Sequence, residues 1–171
     1  MPLDFDWSGF RALAKRLDDL VGGERDDAEF ANDVRRALTF VYTAGITMPT
    51  AGDVYEDAGG EAFAERSINL DLATDPADAE AAVAELAERL ARSIEAVQPE
   101  GDVDADELED LAEGVAVNVL EVTSALAEGC AHFDASRLGE ASWEWSFGFD
   151  EWGMHALAAL TALHELLWGA N

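Results

Sequence analysis

W-E-W-S-F-G-F-D-E-W-G-M-H-A-L-A-A-L-T-A-L-H-E-L-L-W, residues 143 to 168, is the stretch whose reading decides the fold. It holds four of the chain's five tryptophans and two of its three histidines. Trp143, Trp145, Phe147 and Phe149 alternate at period two, which on a strand would put all four rings on one face. On a helix the same residues form two i,i+4 pairs, Trp143 with Phe147 and Trp145 with Phe149, on roughly opposite sides. No turn signal separates them from the helical run Ala156, Leu157, Leu160, Leu163 and Leu167, so one helix over about 136–168 is expected. Apolar nearly all round at its start, that helix belongs inside the fold. Gly148 and Gly153 each cost about 1 kcal/mol of helix propensity against Ala, and a kink or close helix crossing is expected near Trp152 and Gly153.

Upstream, Leu108, Leu111, Val115, Val119, Val122, Leu126, Cys130 and Phe133 keep heptad-like spacing and predict a long helix over about 104–133. The short turn at Asp134 to Ser136 then makes the last two helices an antiparallel hairpin. D-P-A-D at 75–78 starts a helix with Pro at its first position, and Val83, Leu86, Leu90, Ile94 and Val97 carry it over about 76–97, to a stop at Pro99. Asp6 caps a first helix over about 6–21, with Trp7, Phe10, Leu13, Leu17 and Leu20 as its stripe and Gly22-Gly23 as its stop. A second, over about 27–46, turns Phe30, Val34, Leu38, Val41 and Tyr42 inward and ends before Pro49. Residues 47–75 read as irregular, with short helical turns around Val54 to Arg66 and an extended piece at Ile68, Leu70 and Leu72. The fold class is all-α: one domain over 1–171, an antiparallel bundle of four to five helices with the aromatic helix central and a long irregular segment between helices 2 and 3.

Nearly half the residues are apolar, enough for one domain with a real core. The 37 acidic residues outnumber the 10 basic ones to give a net charge of −27, and Lys15 is the only lysine. Direct nucleic-acid or anionic-membrane binding needs clustered Lys and Arg, so neither is expected. The cluster Arg11, Lys15 and Arg16 has Asp18 and Asp19 beside it and reads as an internally paired, solvated face. Acids spread over every segment fit a high-salt habitat best; a basic partner or plain solubility would also account for them. The start, M-P-L-D-F-D-W, lacks the basic and apolar regions of a signal peptide, and a cytoplasmic location is expected.

The lone Cys130 excludes an internal disulfide and reads as a small buried hydrophobe beside Leu126 and Phe133. No phosphate-loop, dinucleotide, zinc-protease, nucleophile-elbow or C-x-x-C pattern occurs. Glu151 and His155, four apart on one helical face, with His164 further on, are the candidate catalytic residues, since a carboxylate beside an imidazole can hold a proton. A histidine there also fits a hydrogen-bonded core position. Cys130 and His132, two apart, point to different sides of a helix, and no Glu-x-x-His occurs, so no metal and no cofactor are expected.

Glu140, Ala141, Trp143, Trp145, Phe147 and Phe149, with Trp152, Gly153 and His155, form E-A-x-W-x-W-x-F-x-F followed by W-G-x-H. On these residues the hairpin of residues 104–168 resembles an uncharacterised bacterial domain-of-unknown-function family. The resemblance implies an all-helical fold and no activity. The turn A-E-G-C-A-H-F-D-A-S-R-L-G-E-A also looks like the helix junction of tetratricopeptide repeats, but without a 34-residue repeat it is one hairpin and not an array.

The expected function is a non-enzymatic protein-protein interaction module, with a protein partner or as a homodimer, using Trp143, Trp145, Phe149 and Trp152 as binding residues. The alternatives are an acidic nucleic-acid mimic or immunity-type inhibitor of a basic protein, and a small-molecule binder or hydrolase using Glu151, His155 and His164 in a tryptophan-lined pocket.

Overall fold

The computed structural model describes residues 4–57, 75–98 and 103–168. Among them are seven helices and no strand: α1 Trp7–Gly22, α2 Phe30–Ile46, α3 Ala51–Asp57, α4 Pro76–Val97, α5 Ala105–Asp134, α6 Leu138–Phe147 and α7 Phe149–Trp168. Helix starts follow local chemistry. The Asp6 carboxylate accepts the Gly9 N–H at 2.8 Å, and Asp75 accepts the Ala77 N–H at 2.9 Å with Pro76 behind it. Thr50 and Asp53 form a reciprocal capping box that starts α3 inside the stretch expected to be irregular. The extended piece expected around Ile68 to Leu72, the turns beyond Asp57 and the stop at Pro99 lie outside the described residues.

Helix α5, about 45 Å long at 30 residues, is the hub, with α1, α4, α6 and α7 packed on it and α2 packed on α7 and α1. The aromatic segment was expected at the centre; it instead forms two of the helices around α5. Buried residues from α1 to α7 join one cluster. Leu111, expected on the inner face of α5, is 39% exposed, while Ala112 and Ala116 are buried.

The single helix expected over 136–168 is two, broken at Gly148 and not at Gly153. The cause is a side chain. Trp152 Nε1 donates to the Trp145 carbonyl at 3.0 Å, taking the acceptor that a continuing helix would offer to residue 149. Gly153 lies buried on the inner face of α7, against the Phe149 ring.

The hairpin turn between α5 and α6 is built as expected from a short connection. Arg137 N–H bonds the His132 carbonyl at 2.9 Å and Ser136 N–H bonds the Phe133 carbonyl at 2.9 Å, a Schellman ending with Ser136 in the left-handed region at φ 61°. Arg11 of α1 clamps this turn through both oxygens of Asp134, at 3.0 and 2.9 Å, and holds that carboxyl below its usual range.

Arg89 was not foreseen in the core. It is 4% exposed, its guanidinium donating to the carbonyls of Leu20, Val21 and Arg25 at 3.2, 2.7 and 3.0 Å and lying 4.3 Å over the Phe30 ring. The end of α1 thus receives two donors where its own ladder stops, and the connection after it, at Arg25, a third. Ser93, one turn on, accepts the Ala31 N–H and donates to the Ala28 carbonyl, so α4 staples the α1–α2 connection.

Candidate functional site

The aromatic residues of 143–152 separate into two populations. Trp145 and Trp152 are buried, at 0% and 1% exposure, and form the middle of an aromatic chain that includes Trp7, Phe10, Phe133 and Phe149. Both indole N–H groups are satisfied by backbone carbonyls, Trp145 by Leu126 at 3.1 Å and Trp152 by Trp145. They are core residues, which removes two of the four expected binding residues from the surface. Phe149 is half-buried beneath Tyr42. Trp143 is likewise half-buried against the core and stacks at 4.7 Å on Phe147, which is 64% exposed.

The three candidate catalytic residues are not brought together. His155 Nδ1 lies 2.8 Å from Asn118 Oδ1; Asn118 Nδ2 already donates to the Gly114 carbonyl, so its oxygen accepts and His155 carries its proton on Nδ1. Glu151 is exposed, and among the described residues no hydrogen bond or ion pair joins it to His155. His164 is exposed and packs on Trp168, against which Arg35 lies 4.5 Å from the ring centre.

A different polar group assembles across the α5–α6 hairpin. Glu128 and His132 stand one turn apart on α5, and Glu144 reaches them from α6; one ligand atom from each lies within 4.8 Å of the others. His132 is 1% exposed, its Nε2 3.8 Å from Glu128 Oε1 and its Nδ1 without a hydrogen-bond partner. Burial, and then the charge of Glu128, pushes the Glu144 carboxyl up to about 7. The spacing rule applied to Cys130 and His132 missed this group: Glu128 was the i,i+4 neighbour to test, and Glu144 joins only through hairpin register. Cys130 itself is half-buried and burial pushes its thiol up to about 11, so it is a poor nucleophile at neutral pH.

Toward the N-terminal end of α5, a groove of about 750 Å3 runs along α4. Val83, Ala84, Ala87, Ala91, Leu108 and Val117 line its apolar surface; Glu80, Glu88, Glu95, Glu109 and Glu113 line its polar one, with Arg92 as the one cation among the described residues. Arg92 is itself paired with Asp26 and Glu88.

A family model described as "Domain of unknown function (DUF5063)" matches residues 20–168. The chain belongs to this family. The match takes in α2 to α7 and so reaches far beyond the hairpin on which the resemblance rested, leaving most of α1 outside. No curated protein and no solved structure matches. Among the described residues of this DUF5063 chain, no helix is long and apolar enough to cross a membrane.

Proposed function

We propose that this protein is a non-enzymatic interaction module that seats a basic amphipathic helix in the groove between α4 and α5. The observation that carries the reading is the groove's chemistry, an apolar lining of alanines, valines and a leucine together with five glutamates. A helix laid there would bury its apolar face on Val83, Ala87, Ala91 and Leu108 and set flanking Arg or Lys against the glutamates. The alanines lower the floor and let a partner backbone approach. A second copy of this chain suits the groove poorly, because it would bring two acidic surfaces together. Exposed carboxylates occur on α1, α3, α4, α5 and α7, a spread that gives no support to a nucleic-acid mimic, which needs them gathered. The separation of Glu151, His155 and His164 likewise gives none to a hydrolase.

The test is selection from a displayed peptide library against the protein, with an Ala84→Trp variant as counter-selection, since exposed Ala84 lines the groove and an indole there fills it. Peptides with apolar residues at helical spacing flanked by Arg or Lys, binding Ala84→Trp at least about tenfold more weakly, support the reading. Binding indifferent to that variant, or no enrichment, overturns it.

A further inference from the structure

We propose that Glu128, His132 and Glu144 form a binding site for one divalent transition-metal ion of the Zn2+ class at the α5–α6 hairpin. Three observations converge. The imidazole of His132 is buried, with Nδ1 unpartnered and Nε2 too far from Glu128 for a hydrogen bond. Nε2 is the nitrogen turned toward Glu128 and so the one offered to an ion, while the partnerless Nδ1 leaves the buried ring held by no hydrogen bond of its own. The hairpin brings carboxylate oxygens of Glu128 and Glu144 within 4.8 Å of each other and of His132, where two like charges are unfavourable without a cation or a proton to share. Finally, the spacing is that of ligands rather than of hydrogen-bond partners. Two groups bound at about 2.0–2.2 Å to one ion stand about 3–4 Å apart; Nε2 lies 3.8 Å from Glu128 Oε1, and the whole set, inside 4.8 Å, has to draw in by no more than about an ångström around an ion.

The donor set selects the ion. One imidazole nitrogen and two carboxylate oxygens suit zinc and its first-row neighbours, whereas Ca2+ and Mg2+ favour sites made only of oxygen. Two helices held in register by the Schellman turn supply the ligands, so the site is largely formed before the ion arrives. The Glu128 side chain is one-third exposed, which opens a fourth position to water. Trp145 follows Glu144 directly and serves as a built-in reporter.

The experiment titrates chelator-treated full-length protein with Zn2+ by calorimetry, and with Co2+ by visible absorption and tryptophan fluorescence. Millimolar Mg2+ is present throughout to occupy the general acidic surface. The expected result is one equivalent of Zn2+ bound at about 10 µM or tighter, Co2+ bands of a low-coordinate site, and quenching of tryptophan emission. Glu144→Gln, which keeps size and shape, should weaken Zn2+ binding at least about tenfold. His132→Gln should abolish the Co2+ bands, and Glu24→Gln, an exposed acid between α1 and α2, should leave Zn2+ binding unchanged. Circular dichroism verifies the fold of each variant, and the isosteric Glu144→Gln keeps the test decisive if His132→Gln fails to fold. Absence of Zn2+ binding above the Mg2+ background overturns the proposal and leaves a proton shared between the carboxylates. Equal binding by wild type, Glu144→Gln and His132→Gln overturns it in favour of adventitious binding to surface acids.

Discussion

The Trp145 indole lies directly across Gly129, its ring nitrogen bonded to the Leu126 carbonyl one turn earlier on the same helix. A Cβ at residue 129 would overlap the pyrrole edge of the indole. The absent side chain is therefore what lets α6 approach α5 closely enough for that hydrogen bond. Gly129→Ala should drive the ring off its place and unpair a buried N–H, at a cost of about 3 kcal/mol from overpacking and the lost bond together. Denaturant unfolding at constant m value would read it. An unchanged midpoint would mean that the ring has room to move.

The two tryptophans of W-E-W should behave differently. Trp145→Ala opens a cavity at the centre of the aromatic chain and should destabilise by about 3–5 kcal/mol. Trp143→Ala breaks the stack with Phe147 and part of a contact with the core, and should cost less, about 1–2 kcal/mol. Thermal unfolding of the pair distinguishes them, and equal losses would contradict the burial pattern.

Glu144 gives a pH signature in metal-free protein. Its carboxyl is raised from 4.5 to about 7, so the folded state takes up a proton that the unfolded chain releases, and stability falls as pH rises through that window. The group is half exposed, and solvent screening limits the loss to about 1 kcal/mol. Glu144→Gln removes the penalty. Relative to wild type, it should gain about that much between pH 4.5 and pH 8, measured by urea unfolding with chelator present. A constant difference across the range would refute the assignment.

Ser136 holds the left-handed position of the Schellman turn, where glycine is the usual occupant. Ser136→Gly should raise stability by up to about 1 kcal/mol, the strain relieved outweighing the added freedom of the unfolded chain. A lowered midpoint would show that the serine side chain supports the turn.

Salt tests the charge. With acids spread over most helices and a single lysine, the unfolding midpoint is expected to keep rising beyond about 1 M KCl, where screening between charges already acts over only about 3 Å. A plateau by a few hundred millimolar would tie the acidity to a basic partner instead.

Much of the fold was legible because its signals are local. Caps at Asp6 and Asp75 and the apolar periods of α1, α2, α4 and α5 placed those helices within a few residues. The break at Gly148 was not legible, since it depends on the Trp152 indole reaching back to a carbonyl after packing. The box T-A-G-D at 50–53 announces α3 and could have been read. Arg89 follows Leu86 by three positions, so a charge on the apolar stripe was visible, but its carbonyl partners were not. The Glu128–His132 pair has helical spacing; the groove and Glu144's part in that pair arise only when distant segments meet.

The clamp of Arg11 on Asp134 and the rings of Trp7 and Phe10 against Trp145 give the first helix a structural meaning that similarity does not record. The family match opens at residue 20, yet a fragment cut there would leave the central indole uncovered on one side and the hairpin turn without its arginine. For this chain the boundary of kinship and the boundary of cooperative folding differ by one helix, and any attempt to make a minimal version has to follow the second.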